Sequence, residues 1–266
     1  MDNSKYLIDK KVFLLDMDGT IYLGDELIDG AKEFLEKLKE SGRRYLFLTN
    51  NASKNKSLYV DKLNNLGINA TSDEIFTSGE ATTIYLKKLK PNARIFLLGT
   101  KSLEEEFMNE GFVIEKERNK EIDFVVLSFD TTLTYEKVWI ACEYLSKGVE
   151  YVATHPDFNC PLPEGKFMPD AGAIAAMLES STGRIPKVIG KPNKEIVDSI
   201  LEKYCFEKDE VIMVGDRLYT DIKMGEVSKI STALVLSGET SMEDYENNET
   251  IADLVLNSVK DFIKLL

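Results

Sequence analysis

Two aspartates one residue apart close an apolar run in the stretch VFLLDMDGT, residues 12–20, as Asp16 and Asp18. Far downstream, GDRLYTD (215–221) supplies Asp216 and Asp221, and GKP (190–192) supplies Lys191. A further run, YLFLT, ends in Thr49 and is followed by Asn50. Two carboxylates about 4 Å apart repel by roughly 4 kcal/mol at an effective dielectric near 20. Four acids gathered at one place therefore need cations. Lys191 offers one positive charge, and an all-oxygen carboxylate set points to Mg²⁺ as the second source. Such a cluster suits a phosphate group, held between metal, lysine, the Thr49 hydroxyl and backbone N–H groups at helix starts. Covalent phosphoryl transfer has a use for the close pair: one carboxylate to attack phosphorus, the other to move the leaving group's proton.

These residues need elements to bring them together. Short apolar runs at 11–16, 45–49, 94–99, 123–129, 151–155, 187–190, 211–215 and 232–236 read as strands. Their unbroken hydrophobicity fits parallel strands covered on both faces. Stretches of helical period lie between them, at 30–42, 53–67, 101–110, 135–147, 171–181 and 193–204. The alternation predicts an α/β fold built from βαβ units, with ligands expected beyond the carboxyl ends of the strands. Strict strand alternation would send Asp16 and Asp18 to opposite faces. The chain must therefore leave extended geometry near Met17, and Gly19 makes that turn cheap. Residues from about 80 to 185 carry strands and helices of their own but few of these reactive groups. A domain inserted into a core would account for that.

Composition prunes the alternatives. The 266 residues are 43% hydrophobic and 30% charged, with 33 basic side chains against 46 acidic ones and a net charge of −13. That balance argues against nucleic acid and against an anionic membrane as partners. The first residues lack the order of a signal peptide, and no apolar run approaches the roughly 18 residues of a membrane span. Cys142, Cys160 and Cys205 are few and far apart, as suits a reducing compartment, and cytoplasm is the expected location. His155 is the sole histidine, so a multi-histidine metal site is excluded.

DMDGT, TNN (49–51), GKP and GDRLYTD together resemble, in order and spacing, the motifs of the haloacid dehalogenase (HAD) superfamily. The long insertion resembles the large α/β cap of the NagD-like, para-nitrophenylphosphatase branch. The segment ATHPDFNCPLPEGKFMPDAGA (153–173) is similar to the part of that cap that faces substrate. The resemblance implies a Rossmann-like doubly wound parallel-sheet core, residues 1–79 and 187–266, with a cap domain at 80–186. It implies a phosphatase acting on small-molecule phosphate esters such as sugar phosphates, nucleoside monophosphates and para-nitrophenyl phosphate. Asp16 would be the nucleophile that forms an aspartyl-phosphate, and Asp18 the acid and then the base. Thr49, Asn50 and Lys191 would bind the phosphoryl group. Mg²⁺ would be held by Asp16, the Asp18 carbonyl and Asp216, with Asp221 supporting through water or through a bond to one of these ligands. Within the cap, His155, Asp157 and Asp170 are the candidates for substrate choice; for Lys166 and Arg217 an ordinary surface role competes. A homodimer through the cap would suit the family. A dehalogenase needs no Asp18 and a receiver-like signalling domain needs no insertion, while a phosphomutase and a non-catalytic phosphate sensor stay open.

Overall fold

The computed structural model of the protein describes residues 3–53 and 56–266. Its chain begins β1 (Val12–Leu15), β2 (Tyr22–Leu23), β3 (Glu26–Leu27), α1 (Ala31–Glu40), β4 (Arg44–Thr49), α2 (Lys56–Asn65) and β5 (Ile75–Thr77). Next come α3 (Ser78–Leu89), β6 (Arg94–Leu98), α4 (Lys101–Asn109), β7 (Val113–Ile114), β8 (Phe124–Leu127), α5 (Tyr135–Ser146) and β9 (Glu150–Ala153). A hairpin of β10 (Asn159–Pro161) and β11 (Phe167–Pro169) leads to α6 (Ala171–Thr182) and β12 (Lys187–Val188). The last part holds α7 (Lys194–Tyr204), β13 (Val211–Gly215), α8 (Lys223–Ser228), β14 (Ser231–Val235), α9 (Met242–Glu246) and β15 (Leu254–Leu256). Every strand expected from the sequence is present. The helix expected at 53–67 is seen as α2, and Lys54 and Asn55 lie outside the described residues.

The chain divides into two compact units. The first comprises Met1–Thr49, Lys56–Phe76 and Pro192–Leu266; the second comprises Asn50–Asn55 and Thr77–Lys191. The first contains a six-stranded sheet in the order β15-β14-β13-β1-β4-β5. β1 pairs in parallel with both β13 and β4, with Val12 opposite Val211 and Arg44. All four residues of β1 and all five of β13 are buried, which explains why these runs read as continuously apolar. Helix α1 buries Ala31, Phe34, Leu35 and Leu38, a face set by its 3.6-residue period. It ends because Gly42 takes a left-handed conformation, φ 73°, from which its N–H reaches the Lys39 carbonyl at 3.0 Å. Phe34 stacks at 5.0 Å on Phe262, from the short 3₁₀ segment Val259–Lys264, and both meet Phe13 of β1 edge-on.

The second unit repeats this α/β logic with a five-stranded parallel sheet, β12-β9-β8-β6-β7. Residues 187–190 were expected to open the last core segment. Instead Lys187 and Val188 pair with β9, so the strand before Lys191 belongs to this second sheet. Among the described residues no helix is long and apolar enough to cross a membrane.

Phe34→Ala should cost about 3–5 kcal/mol, because it empties a fully buried aromatic site between α1, β1 and the C-terminal segment. Chemical denaturation of the variant against the wild type checks this; a loss under 1 kcal/mol would mean that the cluster is not an anchor of the sheet.

Candidate active site

In the first unit the chain runs outward from β1 through β4 to β5, and later from β13 through β14 to β15 on the other side. Neighbouring β1 and β13 thus form the point where strand order reverses, the place where open α/β sheets bind ligands. Asp16 directly follows β1, its N–H bonded to the Val214 carbonyl at 2.9 Å. Asp216 directly follows β13, and Thr49 is the last residue of β4. A single turn of π-helix, Leu218–Ile222, then brings Asp221 back beneath Asp216. Such turns recur at functional sites because they redirect one side chain. Carboxylate oxygens of Asp16, Asp216 and Asp221 lie within 4.8 Å of one another.

Glycines make the cluster possible. A Cβ on Gly19 or on Gly238 would fall inside van der Waals reach of the Asp216 carboxylate, and one on Gly215 would strike Asp221. The Asp216 Oδ2 accepts the Glu239 N–H at 2.7 Å, and Asp221 Oδ2 accepts the Arg217 N–H at 3.2 Å. Asp216 Oδ1 is buried with no hydrogen-bond partner among the described residues. Burial first, then the charges of Asp16 and Asp221, push the Asp216 carboxyl up to about 7. Three carboxylates, one orphaned oxygen and a carboxyl that resists ionising are what a divalent cation would relieve. These residues fit the implied metal.

Asp18 lies one turn outside the triad. β1 stops at Leu15, and the Ile21 N–H closes on the Met17 carbonyl at 2.8 Å while Gly19 takes φ 86°. The departure from extended geometry expected near Met17 is therefore a tight turn. Asp18 keeps solvent access, yet its carboxyl is raised: local loss of water is the main cause and Asp16 adds to it, against the opposing Lys62 and Arg217. A raised carboxyl is better able to carry a proton.

Nothing in the sequence marks Lys62 or Gly238 as part of a site, and for Arg217 a surface role competes. Arg217 stays cationic because Asp16, Tyr219, Asp216 and Glu239 more than offset the burial that would lower it. Its signal was its place directly after Asp216. Lys62, whose ammonium also lies 3.9 Å from the Tyr22 ring centroid, sits among many lysines and gave none.

The remaining candidates belong to the second unit. Lys191 is buried. Asn50, also buried, donates from Nδ2 to the Lys191 carbonyl at 3.0 Å and to both oxygens of Asp157 at 3.2 and 3.3 Å. His155 Nε2 meets Asp170 Oδ1 at 2.9 Å and His155 Nδ1 meets Thr154 Oγ1 at 2.8 Å, both ring nitrogens being engaged in a buried position. Asp170 also caps α6, accepting the Ala171 N–H at 2.6 Å. The pair His155–Asp170 thus fastens the two ends of the segment that carries the β10–β11 hairpin.

Two family models match the chain, one described as haloacid dehalogenase-like hydrolase over residues 13–113 and one as HAD-hydrolase-like over 188–262. An acid sugar phosphatase of Staphylococcus aureus is 36% identical over 256 residues, which span 92% of this chain and 98% of that protein. The crystal structure of a 4-nitrophenylphosphatase from Thermotoga maritima is 50% identical, with a TM-score of 0.92 over 97% of this chain and 98% of the other. A p-nitrophenyl phosphatase from Archaeoglobus fulgidus is 31% identical, with a TM-score of 0.89 over 97% of this chain and 100% of its own. A putative NagD protein matches at 46% identity and a TM-score of 0.90, over 97% and 99% of the two chains. The chain belongs to the haloacid dehalogenase-like hydrolases, in their NagD-like and p-nitrophenylphosphatase branch.

Proposed function

We propose that this phosphoric monoester hydrolase cleaves small phosphate esters with Mg²⁺, through an aspartyl-phosphate on Asp16. The observation that carries the reading is the Asp16, Asp216, Asp221 triad at the β1/β13 reversal, with one Asp216 oxygen buried and unpartnered. Asp16, the Asp18 carbonyl and Asp216 would hold the ion, with Asp221 behind them. Mg²⁺, when bound, supplies positive charge against the triad and the phosphate oxygens.

An Asp16 oxygen forms a bond to phosphorus as the ester P–O bond breaks, and Asp18 gives its proton to the departing alkoxide. Asp18, now a carboxylate, takes a proton from the water that attacks phosphorus. The acyl-phosphate bond breaks, inorganic phosphate leaves and Asp16 is restored. The raised carboxyl of Asp18 supports the first of these duties. Thr49 and Lys191 hold the phosphoryl oxygens through a hydroxyl and an ammonium group. Residues 80–186 serve as the cap in this reading, and loop 155–170 selects the leaving group. The named relatives act on sugar phosphates and nitrophenyl phosphate, which favours small metabolites with para-nitrophenyl phosphate as an artificial substrate.

Asp16→Asn should lower turnover of para-nitrophenyl phosphate by roughly 10³-fold or more while the melting temperature holds. Retention of a tenth of the rate would remove Asp16 as nucleophile. Metal and pH are linked through Asp216. Its carboxyl is raised from 3.8 to about 7, so the metal-free folded chain binds this proton more tightly than the unfolded chain. The metal-free fold therefore loses stability as pH rises from about 4 through 7. Saturating Mg²⁺ should raise the melting temperature more at pH 8 than at pH 5.5, and Asp216→Asn should abolish that difference. Equal shifts at both pH values in both proteins would place the ion elsewhere.

A further inference from the structure

Asn50 is buried, and its side-chain amide is spent on two acceptors at once, the Lys191 carbonyl and the Asp157 carboxylate. Because both neighbours only accept, the NH₂ end must face them, which turns Oδ1 toward Gly190, where it is buried without a partner among the described residues. A Cβ on Gly190 would crowd both that oxygen and the Thr154 carbonyl. The Gly190 N–H meanwhile bonds Thr154 O at 2.7 Å. The backbone on either side of the Gly190–Lys191 peptide is thus held at two points, by β9's extension on one side and by Asn50 on the other. The Asn50 carbonyl is itself fixed by the Ser78 hydroxyl at the start of α3.

Asp157 is the anchor of this clamp. Its own carbonyl accepts the Gly172 N–H of α6 at 2.8 Å, so closely that a Cβ on Gly172 would collide with Pro156 and Asp157. Asp157 stands two residues before β10, and both Phe158 next to it and Phe167 of β11 are exposed. Leaving a buried carbonyl or amide unpaired is costly, so loss of the Asp157 acceptor disturbs the amide that holds the Lys191 carbonyl.

We propose that Asp157 is a positioning residue for Lys191, acting through the Asn50 amide, rather than a contact for the substrate's leaving group. The proposal rests on the reading of Lys191 as the phosphate-binding lysine. A one-step relay, Asp157 to Asn50 to Lys191, then joins the start of the hairpin segment to the group that holds the phosphoryl oxygens. It also explains why Asn50, beside Thr49 in sequence, presents its side chain to protein acceptors. Movement of the hairpin segment is passed to the lysine as a change in kcat that is the same for every ester.

Kinetics and backbone exchange test this together. Asp157→Ala should lower kcat by about tenfold or more on para-nitrophenyl phosphate and on a sugar phosphate alike, with KM within about threefold. Asp157→Asn, whose amide oxygen still accepts from Asn50, should recover kcat to within about threefold of wild type. Asn50→Ala with Asp157→Ala should be no worse than Asn50→Ala alone, since the two residues form one relay. Amide exchange in a peptide spanning residues 188–193 should quicken in Asp157→Ala and not in Asp157→Asn. Should the alanine variant fail to fold, Asp157→Ser, too short to reach Asn50, takes its place under the same criteria. A loss confined to KM, a loss that differs between esters, additive double-variant losses or unchanged exchange would each overturn the proposal. Absence of turnover in the wild type would instead strike the phosphatase reading, and the exchange measurement would still decide the relay.

Discussion

Charge repulsion at the β1/β13 reversal is the constraint from which the rest of the site follows. Three carboxylates can share a space of under 5 Å only if something withdraws the backbone around them and something positive answers them. Glycines at 19, 215 and 238 do the first, each standing where a side chain would collide with Asp216 or Asp221. Arg217 does part of the second, while Asp216 is still pushed up to about 7, by burial first and then by the charges of Asp16 and Asp221. The second unit shows the opposite solution in a similar frame. Asp130, beyond β8, is fully matched by the Lys137 ammonium at 2.7 Å and by the N–H and hydroxyl of Thr132. One sheet neutralises its buried acid internally, and the other leaves a deficit that a cation can fill.

Much of this was readable in the chain because parallel strands buried on both faces are written as plain apolar runs. All eight such runs became strands, and the acids at the ends of 12–15 and 211–215 landed side by side. The strands without that signature escaped notice. β5 and β15 are three residues each, β7 is two, and the β10–β11 hairpin has an exposed face, so none carries a distinctive period. Helix α3 was missed because SGEATTIYLKKL opens on serine and glycine and buries small polar residues such as Thr82 and Thr83.

The side-chain roles were less legible than the backbone. That Gly19 must turn followed from the spacing of Asp16 and Asp18; that Gly238 must be small followed from nothing near it in sequence, since it meets Asp216 only across the fold. Asn50 sits in a motif, which marks it as important without saying whether its backbone or its amide matters. Its partners, Asp157 and Lys191, are 107 and 141 residues away, and only the fold brings them within hydrogen-bond reach. His155 likewise stood out for being alone, and proves to be buried against Asp170.

The Asn50–Lys191 hydrogen bond has a kinetic side as well. The pairing of β1 with β13 must close a loop of nearly two hundred residues, a slow event for a chain that has to search for it. Once the second unit has folded, residues 50 and 191 are neighbours, and the intervening segment no longer counts as flexible chain. By loop-closure entropy that shortening lowers the cost of bringing β13 to β1 by about 1 kcal/mol. During synthesis the inserted unit emerges before β13 does, so it has time to fold first. The insertion that would otherwise separate the halves of the six-stranded sheet then serves as the clasp that lets them find each other.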